Sequence, residues 1–68
     1  MNEDNLNMEI RKFLKKVGIS SQRLIENEIH EADKKGIISL GNNLDIEMTL
    51  SIKSLNFNQI ISGQIKID

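Results

Sequence analysis

Glu26, His30 and Asp33 recur at i, i+4 and i+7, which places two carboxylates and an imidazole on one face of a helix. Groups of that kind at that spacing can ligate a divalent metal, and a histidine can move a proton near neutral pH. The same face borders the solvent side of the helix, where Glu26 and His30 also form an ordinary surface pair four residues apart. Solvated pairing is the expected role, and no metal ligand, cofactor or catalytic residue is assigned. Elsewhere there is no Ser/His/Asp arrangement and no glycine-rich phosphate loop, because the four glycines are scattered over turns and one strand position. The chain is expected not to be an enzyme.

Gln22, Arg23 and Asn27 are side chains of the types that bond base edges bidentately. The sequence places them on the first turns of a second helix, after a tight corner like that of a helix-turn-helix. The outer face of the first helix adds Arg11, Lys12 and Lys15, which could meet phosphates. Against this, residues 20–33 set Arg23 against Glu26, Glu28, Glu31 and Asp33, a local charge of −3 that a groove would repel. Two phenylalanines with no tyrosine or tryptophan give no stacking platform for single strands. Nucleic-acid binding is therefore the alternative reading.

Met8 lies opposite the apolar stripe of the first helix, flanked by Arg11, Lys12 and Lys15, and Phe57 sits at a hairpin tip. Isolated exposed apolar residues are ordinary. A flexible methionine ringed by basic stems is also a docking spot for an acidic partner. The first expectation for function is thus a small protein-interaction module, with Met8, Arg11, Lys12 and Lys15 as its partner surface.

The elements that carry these residues follow from two apolar periods. Leu6, Ile10, Phe13, Leu14 and Val17 fall on one stripe and predict an amphipathic helix over about residues 4–17. Glu3 and Asp4 at its start and Lys15 and Lys16 at its end suit the helix dipole. Gly18 then predicts a left-handed stop with Ile19 behind it. A second helix is expected over about 21–35, with Ser20 as N-cap and Ile19 stapled to Leu24. It would bury Leu24, Ile25, Ile29 and Ala32, pair Glu31 with Lys35, and stop at Gly36.

After a linker turning at Gly41-Asn42-Asn43, the period becomes two. Strands are predicted at about 44–54 and 59–67, joined near Asn56-Phe57 or by a longer loop over 55–58. The expected register sets Ile52 against Ile61, Met48 against Ile65, Ile46 against Ile67, Glu47 against Lys66 and Leu50 against Gly63. The fold class is α+β: a two-layer α-α-β-β domain over residues 1–68, with a helix pair on one face of an antiparallel hairpin. A lone hairpin has two unpaired edges. Two arrangements stay open, a homodimer extending the sheet through a hairpin edge and a monomer whose edges the linker shields.

At 68 residues and 7.8 kDa the chain is one small domain of a size that buries only roughly 60% of its unfolded surface. With no cysteine it has neither disulfides nor thiolate metal sites. Nine basic residues against ten acidic ones give no global field toward nucleic acid or an anionic membrane. The acidic opening and the lack of a long apolar run predict no signal peptide and no membrane anchor, hence a cytoplasmic protein.

The opening stretch also resembles a family of short bacterial proteins of unknown function. The resemblance rests on Met1 to Asp4, on Asn7 to Gly18 (Asn-Met-x-Ile-Arg-Lys-Phe-Leu-Lys-Lys-Val-Gly), on Ser21-Gln22 and on Ile25-Glu26. Met48 to Ile52 and Gly63 to Ile65 extend it over nearly the whole chain. It implies a stand-alone bacterial protein and supplies no activity, cofactor or site. Relatives with a basic residue at the place of His30, and a histidine near that of Gln59, leave neither position a shared metal or acid–base role.

Overall fold

The computed structural model describes residues Met1–Asp68, which fall into two compact units, Met1–Ile37 and Ile38–Asp68. The first unit is a single helix, α1, over Glu3–Lys34. Its 32 residues run about 48 Å at 1.5 Å per residue. Asn2 is the N-cap: its side-chain Oδ1 accepts from the Asn5 backbone N–H at 3.0 Å, and its carbonyl accepts from Leu6 N–H. Glu3 and Asp4 occupy the positive end of the dipole.

At the other end Lys35 is the C-cap and Gly36 takes φ +70°. Gly36 N–H donates to Asp33 C=O and Ile37 N–H donates to Ala32 C=O, each at 3.0 Å. These two bonds are the Schellman pattern, and they satisfy carbonyls that a helix end otherwise orphans. The expected stop at Gly36 is present. The expected Glu31–Lys35 pair is replaced by Lys34 Nζ on Glu31 Oε1 at 3.5 Å, because Lys35 has already left the helix.

The helix pair expected from the sequence is not formed. Residues 18–20 are interior helix, Gly18 has no positive φ, and neither the Ser20 cap nor the Ile19 staple exists as such. Two physical terms favour continuity. Glycine inside a helix costs about 0.5–1 kcal/mol relative to alanine, whereas a break would orphan four carbonyls and four N–H groups. The apolar pattern also stays in phase: Leu24 and Ile25 stand eleven residues after Phe13 and Leu14, close to three full turns. One unbroken helix therefore keeps Leu6, Ile10, Phe13, Leu14, Val17, Leu24, Ile25, Ile29 and Ala32 on a single stripe. That stripe is not a core. No residue in the chain is buried; Val17, Ile25, Ile29 and Ala32 are half-buried and the others are exposed.

The second unit opens with a turn. Asn42 Oδ1 accepts from Ser39 N–H at 2.9 Å, Asn42 N–H donates to Ser39 C=O, and Gly41 supplies φ +87°. Strands β1 (Asn43–Ile52) and β2 (Phe57–Lys66) then pair antiparallel in a two-stranded sheet. Gly41 N–H on Ile67 C=O and Ile67 N–H on Asn42 C=O lengthen the ladder beyond Asn43 and Lys66.

The hairpin is as expected but its register is not. Met48 pairs with Ile61, Leu44 with Ile65, Ile52 with Phe57, Glu47 with Ser62, Ile46 with Gly63 and Leu50 with Gln59. The centre lies two residues earlier than the sequence suggested, and each partner shifts by four. A short 3₁₀ turn over Lys53–Leu55 closes the hairpin, with Asn56 left-handed at φ 50°. Asparagine tolerates that conformation, so Phe57 is free to begin the strand. One face then carries Leu44, Ile46, Met48, Leu50, Ile52, Phe57, Ile61 and Ile65. The other carries two cross-strand side-chain bonds, Gln64 Nε2 to Asp45 Oδ1 at 2.9 Å and Ser51 Oγ to Asn58 Oδ1 at 2.7 Å.

Candidate interaction surface

Met8, Arg11, Lys12 and Lys15 all lie within one arc of about 100° on α1, at 100° per residue, on the side away from the apolar stripe. Met8 is 61% exposed. With Asp4, Asn7 and Arg11 it lines an open depression of about 310 Å³. The ion pairs of the chain are Lys34–Glu31 and Lys66–Asp68, so none of these cations is engaged. The expected surface is thus brought together on one face of one helix.

Continuity of α1 extends that face. Ile19, 55% exposed, stands eleven residues after Met8 and so returns to the same side. Sequence reasoning assigned Ile19 to a helix boundary and missed it; the signal was the three-turn spacing from Met8. Farther along, Gln22, Glu26, His30 and Asp33 continue the line, so it passes from basic to acidic.

Gln22, Arg23 and Asn27 are spread over about 140° of the helix circumference and follow no corner, because the chain does not turn before them. Gln22 Nε2 donates to Glu26 Oε1 at 2.8 Å, one helical turn away. That bond engages the carboxylate first considered beside His30, and no three His, Cys, Asp or Glu side chains are grouped to hold a metal ion.

At the hairpin tip, Ser51, Ile52, Lys53, Asn56, Phe57 and Asn58 line a second open depression of about 360 Å³. Phe57 is exposed there, and so is Leu55 in the 3₁₀ turn, which the sequence analysis did not single out. The outer backbone edge of each strand has no partner strand. No helix is long and apolar enough to cross a membrane.

No curated protein and no solved structure matches the chain at a significant level. A family profile does match, described as a family of unknown function, DUF6494, and it spans residues 1–68. That full-length match makes this chain a member of the DUF6494 family.

Proposed function

We propose that this protein is a small, non-enzymatic interaction module that works by presenting surfaces to another macromolecule. The observation that carries the reading is the exposed apolar stripe of α1, on which Phe13 is 59% and Leu24 65% exposed. Soluble monomers rarely leave contiguous apolar patches of more than a few hundred Å² in water, and a larger one marks a contact surface. The Met8 face and the unpaired hairpin edges add two further places for a partner, a strand of another copy included. The cysteine-free composition fits a cytoplasmic setting. Nucleic-acid binding through Gln22, Arg23 and Asn27 has less support, since the chain makes no corner before them and Gln22 is bonded to Glu26.

The test is a tagged pull-down from native lysate with and without nuclease. Recovery of a specific protein, or of the untagged chain, that survives nuclease supports the module. Recovery that vanishes with nuclease overturns it in favour of nucleic acid.

A further inference from the structure

We infer that the outer edge of β2 pairs with β2 of a second copy of this chain, antiparallel about Ile61, so that two hairpins form one four-stranded sheet. The inference rests on the interaction reading and names its surface and its partner. Its first support is where the backbone of β2 points. Ile67 turns both of its polar groups inward, its N–H to Asn42 C=O and its C=O to Gly41 N–H. In an antiparallel pair that direction alternates along the strand, so Ile65, Gly63, Ile61, Gln59 and Phe57 also bond toward β1. Asn58, Ile60, Ser62 and Gln64 then turn their N–H and C=O away from it. In keeping with that direction, the Ile60 carbonyl takes a side-chain donor, Gln59 Nε2 at 3.3 Å. A row of outward backbone groups is the template on which another strand adds.

The side chains commit that edge to a second copy. Edge strands are ordinarily guarded by charge, proline or a bulge. β1 carries Asp45 and Glu47, whereas β2 has no charged residue from Phe57 to Ile65 and no proline. A copy of β2 therefore meets no like charge along that stretch. With Ile61 level with its own copy, Phe57 lies opposite Ile65, so the apolar face continues across the two-fold axis. Ile60, 54% exposed, is the one apolar side chain that the two strands place on the polar face. The same register sets it diagonal to Ile60 of the second copy, within reach of a long side chain. Centring on Ser62 instead would oppose Ile61 to Gly63 and Ile65 to Gln59, and those apolar contacts would be lost. A two-stranded hairpin is marginal in water, and added strands with a shared apolar face are what stabilise it.

The chain has no cysteine, so a single introduced thiol reports its own surroundings. Ile61 and Met48 are cross-strand partners, one on each strand. In the full-length chain, Ile61→Cys should form an inter-chain disulfide on mild oxidation, because the two copies of residue 61 would be a non-hydrogen-bonded pair with Cα atoms about 4.5 Å apart. Met48→Cys should cross-link at least about tenfold more slowly, since three strand spacings, about 14 Å, would separate it from its equivalent. Faster linking through Met48 would place the contact at β1 or on the apolar face and overturn the inference. A second arm changes only the edge. Ile60 and Thr49 are also cross-strand partners. Ile60→Lys sets like charges across the two-fold axis and should weaken self-association in sedimentation equilibrium at least about tenfold. Thr49→Lys should leave it nearly unchanged, with the Met48–Ile61 NMR contact confirming the hairpin in both variants. A dimer unaffected by Ile60→Lys overturns the pairing. A monomer at every micromolar concentration, with a heterologous protein in the pull-down, also overturns the pairing and leaves the interaction reading standing.

Discussion

Asn2 and Gly36 set the two ends of α1 by different means, one with a side-chain acceptor and the other with a backbone conformation. Replacing Asn2 by alanine removes the acceptor for Asn5 N–H and should lower stability by about 1 kcal/mol in urea denaturation followed at 222 nm. Gly36→Ala should lower it by about 1 kcal/mol for another reason: a Cβ there meets no atom within 4 Å, but φ +70° disfavours any side chain. On the outer face, Met8 and Lys12 make no ion pair and are exposed. Their double replacement by alanine should leave the melting temperature nearly unchanged while weakening any partner recovered by pull-down.

Gly18 separates the two readings of the helix. In a left-handed stop, alanine would be strained; inside a continuous helix with open space around its Cβ position, it is favourable. Gly18→Ala should raise stability by roughly 0.5–1 kcal/mol in the same denaturation assay, and a fall of that size would indicate a break. The hairpin has its own test. Cross-strand NMR contacts should join Met48 to Ile61 and Leu44 to Ile65, and contacts from Met48 to Ile65 would contradict the register.

The sequence made Gly36, the Gly41 turn and both alternating strands legible because each is set by local rules. Gly18 was misread because it carries the same local signal as Gly36, a glycine followed by isoleucine. What differs lies beyond: Gly36 is followed by a turn sequence, whereas Gly18 is followed by helix formers whose apolar residues stay in phase. The register was hidden for a related reason. A slip of four residues keeps every side chain on its face, so alternation cannot distinguish the two pairings. The left-handed Asn56 decides it. The Met8, Arg11, Lys12 and Lys15 surface was legible because it fits within one helix segment, and Ile19 was not because it required continuity across Gly18.

At the scale of the whole molecule, 68 residues yield one helix and one hairpin with no buried side chain. Chains this small usually need a staple, and this one has no disulfide. Oligomerisation, or the binding of another macromolecule, is a remaining route to burying apolar surface. A tagged pull-down of the full chain from native lysate, with and without nuclease, is the measurement to make first. The interaction reading predicts a specific protein, or untagged copies of the chain, recovered with and without nuclease. Recovery that vanishes with nuclease would contradict it.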